Sequence, residues 1–363
     1  MGNELWRKSA TELAAMIARR DTSSRAVVEA HLARIAAVNP AVNAVVSTDA
    51  DGALAAADAA DKAVAAGKAL GPFHGVPFSV KANIDQMGVP TTHGVPAFAN
   101  AMPSLDDPTV ERMKAAGGIP FARTNLPDMG LRIHTDSALY GLTRNPWDAG
   151  RTVGGSSGGE GATLATGMSP IGLGNDIGGS LRNPAFACGI ASLKPSFGRI
   201  PYAQSIEPRS PMLVFQMMAV YGPMARSVGD LRTALSVLAG PHPRDPFSFP
   251  APLVGPKPAG RIKVAVVPDP PGGTTAPEIS AGVRAAAAAL KDAGYDVVEV
   301  NPPMVEDAID VWTKWLVWEY GTMTDTLRQI MSPDAVGFFE AFAATQPLPS
   351  YADGVMLQAR RHE

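Results

Sequence analysis

The stretch between residues 262 and 300 constrains the fold most, because two short β-branched runs in it flank a helical segment. Residues 262–267 read IKVAVV and residues 296–300 read DVVEV, with Pro277 and Gly294 between them. Proline suits the first turn of a helix, and glycine suits the position after its last turn. Strand, helix and strand in this order form a βαβ unit with parallel strands. The sequence therefore predicts an α/β fold whose partly parallel sheet carries helices on both faces.

The first 70 residues are predicted to be a helical scaffold. Ser9 is followed three residues later by Glu12, which is the spacing of a capping box. A second helix is expected after Ser23, and an alanine-rich stretch over residues 52–67 favours a third. None of these segments carries a motif of polar side chains, so they indicate structure rather than chemistry.

Composition excludes several functional classes. Among 363 residues, 31 Lys and Arg balance 34 Asp and Glu, so nucleic acid and anionic membranes are not expected as partners. The lone cysteine, Cys188, excludes an internal disulfide framework and indicates a reducing compartment. The chain opens without the apolar core of a signal peptide and contains no apolar run of about 18 residues. A cytoplasmic location is therefore expected. Six scattered histidines form no H-x-x-x-H pair, so no metal or other cofactor is predicted.

The texture of the chain changes after Gly71. Residues 76–80, VPFSV, are typical of a short buried strand, and Lys81 follows at its end. From there to about residue 201 the chain is dense in Gly, Ser, Thr, Asn and Pro, which favours tight turns. Loops carried by a rigid scaffold are where catalytic and binding groups concentrate. This region is the place to search for a site.

Residues 154–182 contain two Ser-Gly clusters, in GGSSGG and DIGGS. Glycine lets backbone N–H groups converge on an oxyanion, and serine supplies an oxygen nucleophile, so the pattern suits acyl transfer. On the residues alone, flexible turns and a phosphate cradle stay open as alternatives. The G-x-S-x-G match at residues 154–158 lacks the strand that a nucleophile elbow needs before it, because residues 145–152 read as a loop. No G-x-x-x-x-G-K-[ST] motif occurs.

Five blocks between residues 71 and 201 resemble the amidase signature family, in the order of that family. They are VPFSVKANID, ARTNLPDMG, YGLTRNPWDAGRTVGGSSGGEG, GLGNDIGGSLRNPA and ASLKPSFGRIP. The resemblance implies the amidase signature fold, an α/β mixed central sheet covered by helices on both faces. It also implies a single domain over residues 1–363, with N-terminal helices over 1–70, a catalytic core over about 71–201, and the βαβ unit and lid-like helices over 202–363.

The same resemblance assigns roles residue by residue. Ser180 would be the nucleophile, Lys81 the base, and Ser156, after a cis Gly155–Ser156 peptide bond, the bridge between them. The two serines are 24 positions apart, as in the family. The resemblance further assigns an oxyanion hole, a substrate contact and supporting side chains, in that order: Ile177, Gly178 and Gly179; Met129 and Gly130; Ser157, Asp176 and Arg182.

A lysine base needs a special environment. An unperturbed lysine has a pKa of about 10.4 and carries a proton at neutral pH. Burial must therefore favour the neutral amine of Lys81 before it can accept the proton of Ser156. The sequence departs from the family pattern at Ala82, where many relatives carry Asp, and at Val95, where many carry Ser. The hydrogen bonds around Lys81 are consequently expected to differ.

The substrate is argued from apolar residues. Residues 211–218 are rich in methionine, and Trp312, Trp315 and Trp318 recur every three residues on a predicted helix. Both regions are expected near the mouth of the site, although ordinary core packing also explains them. They favour a hydrophobic or aryl small molecule, cleaved at an amide, ester or carbamate (urethane) bond.

Two other functions share the pattern. One is the glutamine-hydrolysing subunit of a tRNA-dependent amidotransferase, and the other is a catalytically inactive binding protein. The expected partner in the leading interpretation is only a small-molecule substrate, with a homo-oligomer possible. Residues 358–363 end the chain inside a predicted helix, where the family resemblance implies further strands and helices, so a truncated end is expected.

Overall fold

A computed structural model describes residues 2–206 and 212–363 of the chain. Its backbone divides into two compact units. The first comprises Met1–Ala251 and Asp325–Phe339, and the second comprises Pro252–Thr324 and Glu340–Glu363. No helix within the described ranges is both long and apolar enough to cross a membrane.

The strands of the first unit form a mixed sheet. In chain order the strands are β1 Val45–Thr48, β2 Pro77–Lys81, β3 Ile119–Thr124, β4 Asp136–Ser137, β5 Gly141–Leu142, β6 Ile171–Asp176, β7 Ala191–Ser192 and β8 Val220–Ala225. Six of them lie in the order β1-β3-β2-β6-β8-β7, and β4 with β5 makes a separate hairpin. β2 runs parallel to β3 and β6, whereas the other neighbours are antiparallel. The predicted mixed α/β sheet is confirmed.

Helices cover this sheet and continue along the chain. They are α1 Ala10–Ala18, α2 Ser24–Val42, α3 Ala50–Ala65, α4 Pro108–Ala115, α5 Gly158–Ala165, α6 Arg182–Cys188, α7 Leu213–Met218, α8 Val228–Leu238, α9 Pro277–Asp292, α10 Val305–Gly321, α11 Thr324–Ile330, α12 Pro333–Ala344 and α13 Tyr351–Arg360. The capping box predicted at the first helix is present, because Ser9 and Glu12 exchange side-chain and backbone hydrogen bonds. The alanine-rich segment forms α3, as expected.

Two apolar clusters enclose the sheet and place its functional end. Phe78 and Val80 of β2 pack in a cluster that includes Leu13 of α1, and Phe121 of β3 packs in another that includes Ala57 of α3. Every residue of β2 is buried. Since side chains alternate between the two faces of a strand, a fully buried strand is covered on both.

The second unit contains the βαβ segment. β9 Lys263–Val266 and β10 Asp296–Glu299 are parallel and α9 connects them, so the predicted unit is confirmed. The expectation that its strands belong to the main sheet is wrong, because β9 and β10 form a two-stranded sheet of their own. Most residues of both strands are exposed. The apolar pattern defined the local unit correctly, but it contains no information about which other strands pair with it.

Candidate active site

Lys81 ends β2, between β3 and β6, and its side chain is completely buried. Its Nζ lies 2.7 Å from Ser156 Oγ and also 2.7 Å from Asn175 Oδ1, to which it donates. Burial lowers the pKa of Lys81 to about 7, although the negative charges of Asp176 and Glu160 act in the opposite direction. The neutral amine is therefore well populated near neutral pH.

Ser156 lies in a segment where glycine is required by close packing. The Gly155–Ser156 peptide bond is cis. A Cβ atom on Gly155 would lie 2.6 Å from Arg132 O, and one on Gly154, whose φ is +79°, would lie 2.7 Å from Asn183 Oδ1. Asn183 Oδ1 also accepts a hydrogen bond from Gly155 N–H at 3.0 Å. The segment is thus fixed against the loop that begins α6.

Ser180 lies in the turn between β6 and α6, where it is nearly buried. The Asp176 carboxylate organises this turn. It accepts hydrogen bonds from Gly179 N–H and Leu181 N–H, and two from the Arg182 guanidinium. Burial alone would raise the pKa of Asp176, but the hydrogen bonds from Arg182 and the two backbone groups hold it below its ordinary value. The turn carries an ionised brace directly beside Ser180.

Three backbone N–H groups were predicted for the oxyanion hole, and the structure separates one of them from the others. Gly179 N–H is already donated to Asp176 Oδ1 at 2.8 Å, so in this arrangement it has a partner. Within residues 2–206 and 212–363, Gly178 N–H and Ser180 N–H make no hydrogen bond. Ser180 N–H is a donor that the sequence analysis did not assign. Ile177 lies in the same turn.

The two serines approach through their backbones. Ser157 N–H donates to Ser180 O at 3.3 Å, and Ser157 Oγ donates to Asn175 O at 3.4 Å. No hydrogen bond joins Ser156 Oγ to Ser180 Oγ in the described part of the chain. Hydrogen bonds of catalytic groups are often long before substrate binds and shorten in the reactive complex. The structure therefore contains the Lys81–Ser156 link directly and brings Ser180 alongside it.

Gly130 lies against the bridging serine. A Cβ atom on Gly130 would be 3.4 Å from Ser156 Oγ, and the glycine has a φ of +74°. Met129 precedes it with a φ of +53°, and its N–H donates to the carbonyl of His93 at 2.9 Å. The two residues predicted to contact substrate are thus held at the site by a tight left-handed turn. The predicted contact itself stays a prediction.

Three residues near Lys81 were missed by sequence reasoning. Asn175 accepts the hydrogen bond from Lys81, and its Nδ2 donates to Asn83 Oδ1 at 3.1 Å. Glu160 is fully buried within the reach of the lysine's electric field. Asn83 and Asn175 lie within the motifs around Lys81 and Asp176, and Glu160 lies four residues after Ser156. Their position beside the assigned residues was the available signal.

The apolar regions expected at the mouth of the site have other contacts. Pro211, the first residue of the methionine-rich stretch, lies outside the described residues, and much of the rest forms α7. In the second unit, Trp315 is buried and donates to Glu319 Oε1, while Trp312 packs edge-on against Phe342. These contacts are those of ordinary helix packing, so a role of the Trp row in the site stays a prediction.

Comparison with known proteins gives one family. The Amidase family model matches residues 26–350. An indoleacetamide hydrolase from Bradyrhizobium diazoefficiens is 47% identical over 312 residues, which are 86% of this chain and 59% of that protein. A glutamyl-tRNA(Gln) amidotransferase subunit from Acidothermus cellulolyticus is 38% identical over 314 residues, 85% of this chain and 61% of that protein. The chain therefore spans about three fifths of the length of these curated relatives.

Solved structures agree with these matches. A bacterial aryl acylamidase of the amidase signature family superimposes with a TM-score of 0.81 at 27% identity. The superposition covers 98% of this chain and 75% of that one.

Proposed function

Because this chain belongs to the amidase family, we propose that it hydrolyses amide-like carbon–nitrogen bonds through an acyl-enzyme on Ser180. One observation carries the proposal. Lys81 is completely buried, its pKa is lowered to about 7, and its Nζ lies 2.7 Å from Ser156 Oγ, next to the Ser180 turn. A neutral amine that contacts a serine hydroxyl is a general base ready to act.

The proposed reaction starts with two proton transfers. Ser180 Oγ gives its proton to Ser156 Oγ, which passes its own proton to Lys81 Nζ, as Ser180 Oγ bonds to the substrate carbonyl carbon. The carbonyl oxygen becomes an oxyanion, stabilised by N–H groups of the turn that holds Ile177, Gly178 and Gly179. Each such donor contributes on the order of 3 kcal/mol to the transition state.

Collapse of the tetrahedral intermediate breaks the C–N bond. Lys81 returns the proton through Ser156 to the leaving nitrogen, and the acyl group remains on Ser180. Water then repeats the sequence in place of Ser180 and releases the acid. In this scheme Asp176, Arg182 and Ser157 hold the turn, while Met129 and Gly130 line the bound substrate.

We propose a hydrophobic or aryl amide as the substrate. Support comes from the indoleacetamide hydrolase, at 47% identity, and from the structural likeness to an aryl acylamidase. Carbamate (urethane) and ester cleavage belong to the same proposal, because the acyl-enzyme chemistry is shared. We further propose that residues 1–363 serve as one amidase domain in the cytoplasm, which the single, buried thiol of Cys188 supports.

A second candidate is the glutaminase subunit of an amidotransferase, favoured by the 38% identity to such a subunit. The two candidates differ in partners and in substrate. Co-purification of further subunits, together with turnover of glutamine but not of aryl amides, would favour the amidotransferase role.

The decisive experiment uses a fluorophosphonate probe and a substrate panel. The proposal expects covalent labelling of wild-type protein, no labelling of Ser180→Ala, and turnover of an arylacetamide above that of glutamine. Labelling that persists in a folded Ser180→Ala protein would refute the assignment of the nucleophile.

A further inference from the structure

Glu160 is a buried carboxylic acid to which the proposed mechanism gives no role. It lies in the first turn of α5, where the helix dipole favours a negative charge, and it is fully buried. Both of its oxygens accept hydrogen bonds from hydroxyls. Ser79 Oγ donates to Oε1, and Thr124 Oγ1 donates to Oε2 at 2.6 Å. A buried carboxylate held by two donors is costly to keep unless it serves the site.

The two donors flank Lys81 in the sheet. Ser79 precedes it by two positions on β2, so the two side chains point to the same face. Thr124 is the register partner of Lys81 on β3. Glu160 therefore joins β2 and β3 beneath the base, at the end where both strands stop.

The charges around the pair come from several elements. Burial raises the pKa of Glu160 to about 7, while its hydrogen bonds and the positive charges of Arg123 and Lys81 favour the ionised form. Lys81 faces Glu160 from α5 and Asp176 from β6, and both negative charges favour its protonated form. His93 also faces the lysine, but burial lowers its pKa to about 4, so it is neutral above that pH. Removing the charge of Glu160 should thus make Lys81 easier to deprotonate.

We propose that Glu160 is a positioning residue for the Lys81 base, joining the ends of β2 and β3 beneath it and placing a negative charge behind the amine. This inference rests on the proposed function, since it takes Lys81 as the base.

The test measures fluorophosphonate inactivation, so it needs no knowledge of the substrate. The second-order rate constant is recorded against pH for wild type and Glu160→Gln, which removes the charge and keeps the shape. The acid limb of the variant should move to lower pH by on the order of 0.5 to 1 unit, as expected for one charge acting through a protein interior. The rate on the alkaline plateau should also fall, because the strand ends lose their clamp. A purely structural role would lower the plateau without moving the limb.

Two further variants keep the inference falsifiable. Thr124→Val keeps the shape of a strand residue and removes one donor to Glu160, so it should move the limb in the same direction by less. If Glu160→Gln does not fold, Thr124→Val alone decides. Asp230→Asn is the matched control. Asp230 is a buried carboxylate that accepts from Ala10 N–H and from Thr11, and its loss should leave the limb where it is.

Two results would overturn the inference. One is an acid limb at the wild-type pH in both Glu160→Gln and Thr124→Val, and the other is an equal shift in Asp230→Asn. Failure of the proposed function looks different, because labelling would then be absent from wild type or would survive Ser180→Ala.

Discussion

Two strands of this protein each have a lysine at one end, and the two environments differ completely. Lys81 ends β2 in the six-stranded sheet, where every residue of the strand is buried. Lys263 begins β9 in the two-stranded sheet, where it is exposed. The first amine is desolvated and its pKa is lowered to about 7, whereas the second faces water.

The comparison shows that strand position does not make a lysine a base. What differs is the number of layers around it: β2 has a strand on each side and is covered on both faces, while β9 has one partner strand. Burial of that depth is obtained only in the interior of a large sheet. The chemistry therefore belongs to the first unit, and the βαβ segment illustrates the same local folding without it.

The largest expected effect separates the two lysines directly. Lys81→Ala, Ser156→Ala and Ser180→Ala should each lower kcat/KM on an aryl amide by at least about 1000-fold, as is typical of residues that act in one relay. Lys263→Ala, the matched control, should leave turnover within twofold. Steady-state kinetics on folded proteins, checked by circular dichroism, measure this. A Lys81→Ala enzyme with wild-type turnover would contradict the comparison, and the losses in double variants should not add.

Stability should divide the two sheets in the same way. Phe78→Ala removes a fully buried ring from β2 and should cost about 3–5 kcal/mol in the free energy of unfolding. Val298→Ala on β10 truncates a side chain that is 52% exposed, so its effect should stay within about 0.5 kcal/mol. Urea denaturation followed by fluorescence compares the two. Equal losses would mean that the small sheet is as well packed as the large one.

The smallest effect concerns pH. The acid limb of kcat/KM should have its midpoint near pH 7, because activity requires the neutral Lys81 amine and its pKa is lowered to about 7. Below that midpoint the rate should fall about tenfold per pH unit. Replacing His74, His93 or His134 by Gln should leave the midpoint unchanged. A profile flat from pH 5.5 upward, or a limb that disappears with one histidine, would show that lysine is not the base.

Sequence predicted the elements well where local patterns define them. The capping box at Ser9, the strand ending at Lys81 and the helix between β9 and β10 all lie where the pattern indicated. The pairing of β9 with β10 alone was not predictable, because periodicity describes one strand and not its neighbours. Register between distant segments is decided by the packing of the whole chain.

The site was predictable only as far as motifs reached. Lys81 and Ser156 were assigned from their motifs, and the structure places their side chains 2.7 Å apart. Asn175 and Glu160 were not assigned, since no propensity tells that a polar residue will be buried against a particular amine. The donation of Gly179 N–H to Asp176 likewise depends on the exact shape of a turn. Such contacts are properties of three-dimensional proximity.

The glycines around Ser156 have a consequence for anyone wishing to alter this protein. A Cβ atom on Gly154 or Gly155 would come within 2.7 Å of neighbouring atoms, and one on Gly158 or Gly159 would overlap Thr135 or Asn125. Libraries that randomise this segment should consequently yield almost no folded members. Directed evolution toward new acyl groups should leave it constant and diversify positions whose side chains are already partly exposed, such as Met129 and Leu131.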